Sequence, residues 1–187
     1  MGVLNVNNSP NVGCDIDEVW EALTVMDVGH RSIHTGDLYA SMITASVVNG
    51  TTANCLIRTP ASAAGGGYVH MMAQLSVAGS CSATLYEQCT ASVTGTTINP
   101  KNLNRNATRF MPFSAAVAAT VSAAAFGTAI ISKQCASAVP LNNWDVQEFI
   151  LLPSTDYLLY IANGNAATET VVVGLRGYSK ADGIKVG

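Results

Sequence analysis

Short runs in which apolar residues alternate with small polar residues recur along most of the chain. In the clearest run, Val69, Met71, Ala73, Leu75 and Val77 fall on one face of a strand. Gly, Pro, Asn and Ser residues separate the runs at intervals of about 8–12 residues, which is the spacing found in β-sandwiches and barrels. Strands do not alternate with long amphipathic helices, so a parallel α/β fold is not expected.

The pattern predicts about eight to ten strands in the region that follows Asp37. Asn49-Gly50 is a typical turn sequence, and Pro153-Ser154 ends another apolar run. The predicted strands span residues 38–48, 53–59, 68–78, 83–88, 96–98, 115–121, 125–133, 148–152, 157–162 and 168–177.

The N-terminal part of the chain shows no sustained strand alternation. A short helix is predicted over residues 15–23, where Asp15 would cap the first turn and Glu18 would complete a capping box. The polar segment from Asp27 to Asp37 is predicted to be a structured loop, because its two glycines disfavour a helix. The chain therefore divides into an N-terminal arm and structured loop (1–36), a β-sandwich body (37–178) and a C-terminal tail (179–187).

The low charge content is the most informative property of the composition. Charged residues make up 11% of the chain and hydrophobic residues 49%, whereas a soluble domain usually carries roughly 25% charged residues. This deficit indicates a surface that contacts other protein copies. The alternative is a monomer whose surface is covered by Ser, Thr and Asn. The net charge is −3 and the nine Lys and Arg residues are scattered, so nucleic-acid binding is not expected.

Neither a targeting signal nor a membrane span is expected. The chain does not begin with a basic region followed by an apolar stretch. The longest apolar segment, residues 113–131, is interrupted by Ser, Thr and Gly and is too polar to cross a bilayer. We interpret this Ala-rich segment as one or two buried strands, and we expect no membrane partner.

The five cysteines form no CxxC pair and have no spacing to histidine that is typical of a zinc site. Buried free thiols in a protein made in a reducing cytoplasm are the favoured interpretation. The alternative is a disulfide between Cys81 and Cys89, which could face one another across a hairpin.

No residue pattern indicates catalysis. His30 and His34 are four positions apart between two aspartates, but a shared metal would require a helix there, and neither metal nor cofactor is expected. Asp27 and Arg31 are instead predicted to hydrogen-bond within a loop that holds the arm against the body. There is no Gly-x-Ser-x-Gly elbow and no phosphate-binding loop. A cupin-type enzyme would need more converging histidines than the three present, so the chain is not expected to be an enzyme.

Several residues outside the regular strand pattern are candidate contacts with partners. Tryptophan is enriched in interface hot spots, although core packing is the alternative for both tryptophans. Arginines in the polar loop of residues 101–109 could make charged contacts between subunits or be solvated. The candidates are Trp20, Asp27, His30, Arg31, His34, Arg105, Arg109 and Trp144.

Three segments together carry a resemblance to a known family. They are Asp27-Val-Gly-His-Arg-Ser-Ile-His-Thr-Gly, Asn102-Leu-Asn-Arg-Asn-Ala-Thr, and Phe149-Ile-Leu-Leu-Pro-Ser-Thr-Asp-Tyr-Leu-Leu-Tyr-Ile-Ala-Asn. In this order they resemble small virion proteins of tailed bacteriophages that have a jelly-roll fold. The last segment is also similar to the closing hairpin of trimeric jelly rolls such as tumour-necrosis-factor-like domains. The long N-terminal arm and the residues that follow Tyr178 depart from the family pattern.

The resemblance implies an all-β, jelly-roll-like β-sandwich with an extended N-terminal arm. It further implies a capsid decoration (cement) protein, made in the host cytoplasm and bound to the phage head surface. The implied partners are the major capsid protein and further copies of the chain in a homotrimer. The arm would lie along a shell protein or a neighbouring copy, where it could add a strand to a sheet edge. A fibre module or carbohydrate-binding module of the virion is the alternative.

Overall fold

The structure, a computed structural model, describes residues 12–17, 22–61, 68–77, 79–108, 111–135, 142–143 and 147–179. Side chains are described for residues 31–61, 68–77, 79–108, 111–134 and 148–178. One α-helix, α1, spans Val28–Thr35, and a single 3-10 turn spans Ala123–Ala125 within these ranges. The strands are β1 Val12–Asp17, β2 Ala22–Asp27, β3 Leu38–Val47, β4 Thr52–Arg58, β5 Val69–Val77, β6 Cys81–Glu87, β7 Thr96–Ile98, β8 Lys101–Asn102, β9 Ser114–Val117, β10 Thr128–Cys135, β11 Asn142–Asn143, β12 Gln147–Leu151, β13 Asp156–Asn163 and β14 Glu169–Ser179.

Most of the strands form two antiparallel sheets that pack face to face. The first has the strand order β10-β6-β13-β4-β9-β7, and we call it the covered sheet. The second has the order β5-β14-β3-β8, with β11 and β12 both pairing with the outer side of β5, and we call it the open sheet. The hairpin of β1 and β2 is a separate two-stranded sheet.

The strand order is that of a jelly roll. The four main strands of the open sheet lie in the order β3-β14-β5-β12, and those of the covered sheet in the order β4-β13-β6-β10. Read in chain order, these eight strands form the double Greek key by which a jelly roll distributes its strands over two sheets. The first strand, β3, and the last, β14, pair from Val47–Glu169 to Leu38–Tyr178. The prediction of an all-β, jelly-roll-like sandwich is confirmed.

The hydrophobic core lies between the two sheets. The five residues of β5 that the sequence places on one face, Val69, Met71, Ala73, Leu75 and Val77, are all buried, and the residues between them are more exposed. They pack in one cluster with the inward-facing residues of the covered sheet. This alternation is the expected result of burying one face of an antiparallel sheet.

A second cluster buries the outer face of the covered sheet. Leu56 of β4 and Leu158 of β13 point away from the core and pack against Cys89, Ala119 and Val121 from the long connection between β6 and β10. Backbone hydrogen bonds hold this connection in place, including Cys89 N to Asp156 O at 3.1 Å. Burial on both faces explains why β4 and β13 each contain a run of three consecutive buried residues.

The two strands predicted over residues 115–121 and 125–133 are wrong in part, because this connection occupies some of these positions. Only β9 and β10 are strands there, and the residues between them cross the outer face of the covered sheet. Ala118 has a φ of 57° and Gly127 a φ of 83°, so the chain turns at both points. No helix in the described parts is long and apolar enough to cross a bilayer.

The N-terminal predictions are wrong in two places. The helix predicted over residues 15–23 is replaced by the hairpin of β1 and β2, in which Cys14 pairs with Val25 and Ile16 with Leu23. The period-two order Val12-Gly-Cys-Asp-Ile16 favours a strand over a helix. The remaining N-terminal residues, 1–11, and the tail from residue 180 lie outside the described residues.

The structured loop predicted over residues 27–37 is largely the helix α1. Gly36, with a φ of 75°, follows the last helical residue and ends the helix. Its N–H donates to Ile33 O at 3.0 Å, and the N–H of Asp37 donates to Ser32 O at 2.9 Å. This pair of bonds is the Schellman motif, in which a glycine terminates a helix favourably.

The buried free thiols that the sequence predicts are found at two of the described cysteines. Cys55 in β4 and Cys89 after β6 are buried free thiols, so Cys89 is not disulfide-bonded to Cys81. Burial raises the pKa of Cys55 to about 12 and, as the largest cause, that of Cys89 to about 11. Both thiols are therefore protonated and unreactive near neutral pH.

Candidate interaction surface

The outer face of the open sheet is exposed over most of its area. Because β3, β14 and β5 pair side by side, Met42 lies next to Gly174, which in turn lies next to Gln74. In the next row, Arg176 lies between Ala40 and Met72. We call the surface formed by Met42, Met72, Gln74, Gly174 and Arg176 the open face.

Apolar side chains stand out from this sheet into solvent. Met42 is 75% exposed, and Ile150, on β12 beyond β5, is 63% exposed. Single exposed apolar residues are normal on a soluble protein, but a group of them on one flat sheet is typical of a protein-binding surface. The open face therefore has the composition of an interface, and no described residue of the chain acts as its partner.

Gly174 creates a depression at the centre of the open face. It has no side chain, and the nearest atom to a Cβ placed there would be Gln74 Cβ, at 3.8 Å. The resulting groove has a volume of about 300 Å³ and is lined by the residues of the open face together with Ala40, Ser41 and Leu175. A protruding side chain of a partner would be accommodated there.

Arg176 is the charged group of the open face. It is exposed, and it makes no ion pair with any residue that the structure describes. An arginine beside a methionine has the features of an interface hot spot, because its stem covers apolar surface while its guanidinium forms directed hydrogen bonds. Flexible methionine side chains adapt to the shape of a partner.

A polar cluster lies at one end of the open face. Glu148 Oε1 of β12 is 2.8 Å from His70 Nδ1 of β5 and accepts a hydrogen bond from the Tyr178 hydroxyl at 2.9 Å. The His70 and Tyr178 rings are stacked, with centroids 4.9 Å apart. His70 therefore packs against Tyr178 and is hydrogen-bonded to Glu148. The cluster ties the edge strand β12 to β5 and β14.

None of the sequence-predicted candidates whose side chains the structure describes lies on the open face. Trp20, Arg109 and Trp144 are outside the described residues, and only the backbone of Asp27, at the end of β2, and of His30, within α1, is described. The predicted hydrogen bond between Asp27 and Arg31 therefore stays a prediction.

Arg31, His34 and Arg105 are exposed, and the structure brings their two segments together. The side-chain amide of Asn102 donates to Gly36 O at 2.8 Å, and that of Asn104 donates to His34 O at 3.0 Å. These bonds satisfy carbonyl groups at the end of α1 and join it to the loop after β8. Two of the segments that carry the family resemblance are thus neighbours in space.

His30 and His34 do lie one turn apart on a helix, contrary to the sequence-based expectation of a loop. The side chain of His30 is outside the described set, however, and two histidines one turn apart are not by themselves a metal site. No group of three or more His, Cys, Asp or Glu side chains with the geometry to hold a metal ion occurs among the described residues.

Sequence reasoning missed the residues of the open face because it ranked candidates by residue type. The available signal was the presence of methionines at outward positions: Met42 and Met72 occupy places where an alternating strand usually has a polar residue. Such a signal becomes usable only once the inward face of each strand is known.

No protein-family model matches the sequence, and no curated protein matches it. Among solved structures, the chain is similar to the Yersinia pseudotuberculosis-derived mitogen, with 9% sequence identity and a TM-score of 0.36. The match covers 79% of this chain and 91% of that chain. A likeness at this level carries no argument about this chain's function, and the fold rests on the strand order described above.

Proposed function

We propose that this chain is a structural protein of a bacteriophage virion, a capsid decoration protein that binds the major capsid protein on the head surface. The observation that carries the proposal is the open face: a largely apolar sheet surface that no described segment covers, on a jelly roll whose other sheet is buried on both faces along its central strands β4 and β13. The resemblance of three sequence segments to phage virion proteins supplies the kind of partner.

A rigid body suits a protein that joins shell subunits. Ordering flexible segments on binding costs free energy, whereas a sheet that is already fixed loses little. The open face belongs to strands that pair along their full length with β14, so its side chains are held on a rigid support. A partner would bury Met42, Met72 and the stem of Arg176 while the guanidinium meets an acceptor.

The proposal includes self-association. Charged residues make up only 11% of the chain, and surfaces between subunits are depleted of charge. A homotrimer would present three open faces to a shell with a repeating lattice. Simultaneous binding of three sites raises the overall affinity through effective concentration, without requiring any single contact to be strong.

The experiment compares head binding of three forms of the full chain: the wild type, Met42→Asp and Ile130→Asp. Ile130 is a matched control, because it is also an exposed large hydrophobic residue but lies on β10, at the edge of the covered sheet. Each protein is mixed with bare phage heads and sedimented, and its assembly state is measured by native mass spectrometry. We expect the wild type and Ile130→Asp to bind, and Met42→Asp to bind at least about tenfold more weakly, the effect of losing roughly 1.4 kcal/mol.

A wild-type chain that does not sediment with heads contradicts the decoration function. In that case a positive signal from the same protein on a glycan array would favour a carbohydrate-binding module. Equal head binding by Met42→Asp and Ile130→Asp would show that another surface contacts the shell. A monomeric mass close to 19.4 kDa under all conditions would exclude the trimer.

A further inference from the structure

One edge of the open sheet lacks a neighbouring strand over most of its length. On one side β3 pairs with β14 throughout, but on the other side it pairs with β8 only at Tyr39 and Ala40. Within the described parts of the chain, no strand pairs with the segment from Ser41 to Val47 on that side. We call this segment the β3 free edge. At about 3.3 Å per residue, seven residues offer a strand roughly 23 Å of unpaired backbone.

The other sheet edges are protected against pairing, and the β3 free edge is not. The edge strand β7 is only three residues long. Strand β10 has a register irregularity between Ala129 and Ile131 and carries Lys133. Strand β12 carries Glu148 and is followed closely by Pro153. Bulges, charges and prolines are the usual protection of an edge strand.

The β3 free edge reads Ser-Met-Ile-Thr-Ala-Ser-Val, with no charge, no proline and no shift in its register with β14. An edge of this kind is suited to accept a further strand, because its backbone groups are aligned and nothing repels a partner.

A groove runs beside this edge, between β3 of the open sheet and β4 of the covered sheet. Its volume is about 270 Å³, just below the range of roughly 300–1,000 Å³ typical of small-molecule pockets. Its apolar lining includes Ile43, Ala45, Ala53, Cys55, Val171 and Val173. Alternate side chains of a strand added to β3 would point into this groove.

A residue that lines the groove carries an unpartnered polar atom. This residue is Asn54, and Asn54 Nδ2 donates to Ala119 O at 3.1 Å. Asn54 Oδ1 is buried and has no hydrogen-bond partner. Such an atom is rare in a folded protein and calls for a donor. Ser41 Oγ, where the β3 free edge begins, is likewise buried without a partner. Ser41 Oγ therefore lies at the edge that lacks a strand, whereas the Asn54 side chain shares the outer face of the covered sheet with Leu56 and points towards Ala119.

We propose that the β3 free edge accepts the N-terminal segment of a second copy of this chain as an added strand. The inference rests on the self-association included in the proposed function, and it specifies which segments of two copies meet. In the sequence Val3-Leu-Asn-Val-Asn7, Leu4 and Val6 alternate with asparagines, so that one face of an extended segment is apolar. Residues 1–11 contain no charged side chain, which matches the uncharged edge. Pro10 would end the added strand, because proline has no N–H to donate.

The exchange also explains how a ring of copies can close. An arm that leaves one copy and enters the next is a heterologous contact, because the two surfaces that meet are different. Such contacts close into a ring when the rotation between copies allows it, and a trimer is one such ring. The open face remains available for the shell, because the arm occupies the side of the sandwich and not the outer face of the sheet.

The test uses the full chain with matched substitutions in the arm. Val6→Asp places a charge on the apolar face of the segment, whereas Asn7→Asp places the same charge on its other face. Backbone amide exchange of residues 41–47 and the assembly state are measured for the wild type and both variants. We expect Val6→Asp to be monomeric, with exchange at residues 41–47 faster by on the order of tenfold or more, and we expect Asn7→Asp to behave as the wild type.

A synthetic peptide of residues 1–11 is then added to the Val6→Asp chain. We expect it to restore protection of residues 41–47, and we expect the same peptide carrying Val6→Asp to have no effect. Ala45→Leu, which partly fills the groove, should abolish the response to the peptide, whereas Ala129→Leu on the edge strand β10 should not. Thermal unfolding of each variant checks that the fold is intact.

Equal exchange at residues 41–47 in the wild type and Val6→Asp overturns the inference, as does protection of those residues in a monomer, which would place each arm on its own chain. Head binding is measured on the same samples. Head binding without edge protection leaves the decoration function standing and removes the strand exchange. Edge protection without head binding leaves the strand exchange standing and removes the decoration function.

Discussion

The two sheets of this sandwich share one core between them, but their outer faces differ in exposure to solvent. In the covered sheet, the connection between β6 and β10 lies over the outer face, and Leu158 is 0% exposed although it points away from the core. In the open sheet, an outward apolar residue on β3, Met42, is 75% exposed. An outward apolar residue thus stabilises the fold in one sheet and stays available to a partner in the other.

The difference shows in the burial pattern of single strands. β4 contains the consecutive buried residues Cys55, Leu56 and Ile57, as expected when both faces are covered. β5 alternates strictly between buried and more exposed residues, as expected when one face is covered. Since the hydrophobic free energy follows the apolar area removed from water, substitutions on the two outer faces should have very different effects on stability.

The largest expected effect contrasts Leu158→Ala with Met42→Ala. Removing the buried Leu158 side chain leaves a cavity in the second cluster and should lower the free energy of unfolding by about 2–5 kcal/mol. Met42→Ala changes an exposed side chain and should stay within about 0.5 kcal/mol of the wild type. Urea denaturation of both variants measures the difference. Similar losses in the two variants would mean that the outer faces do not differ in burial.

A smaller effect contrasts two glycines of the same strand, β14. A Cβ at Gly177 would lie 2.8 Å from Cε1 of the buried Phe113, whereas a Cβ at Gly174 would meet no atom closer than 3.8 Å. We expect Gly177→Ala to destabilise the fold by roughly 1–3 kcal/mol through overpacking. Gly174→Ala should be neutral or stabilising by up to about 1 kcal/mol.

Thermal and urea unfolding of both glycine variants provide the measurement. Equal tolerance of alanine at the two positions would contradict the assignment of Gly177 to the inner face and Gly174 to the open face. Gly174→Ala should also narrow the groove of the open face. The effect of the narrower groove on binding to phage heads can therefore be measured without a loss of stability.

The last contrast is confined to alkaline pH and concerns the thiols on the two faces of the covered sheet. The pKa of Cys55 is raised by burial from its ordinary value of 9.0 to about 12, and that of Cys89, chiefly by burial, from 9.0 to about 11. The unfolded chain therefore releases these protons at a lower pH than the folded chain. The thiols should not affect stability below about pH 9, and the free energy of unfolding should fall as the pH rises from 9 towards 11–12.

Urea denaturation at pH 8 and at pH 10.5 measures this decline, with Cys55→Val as the control that removes one ionisable group at similar volume. We expect the variant to lose less stability than the wild type between the two pH values. An identical loss would mean that Cys55 ionises equally easily in the folded and unfolded chains. In the same samples, a thiol introduced by Met42→Cys on the open face should react with iodoacetamide at pH 8, while Cys55 should not.

The strand pattern was predictable where a strand has one inward and one outward face. The bounds of β3, β5, β13 and β14 agree with the sequence to within about two residues, the usual scatter of element boundaries. The prediction failed near Gly36, which was counted against a helix although it lies just beyond the last helical residue, where glycine is favoured. It also failed for residues 118–127, where Ala119 and Val121 are buried without forming a strand.

The candidate interface residues, like the strands, were predictable only in part. Histidines, arginines and tryptophans can be selected by type from the sequence, but exposure of Met42 or Arg176 depends on which outer face the connection between β6 and β10 covers. Likewise, the β3 free edge exists because β8 is only two residues long. Local sequence does not show this, because the partners of a strand lie far away in the chain.

The sequence by itself determined that this is a charge-poor β-sandwich, because period-two alternation and turn residues act locally. Tertiary structure alone decided which sheet is open, which edge lacks a strand and where Asn54 is left without a donor. These properties arise from contacts between residues far apart in the chain, and no local pattern encodes which segment will lie over a given face.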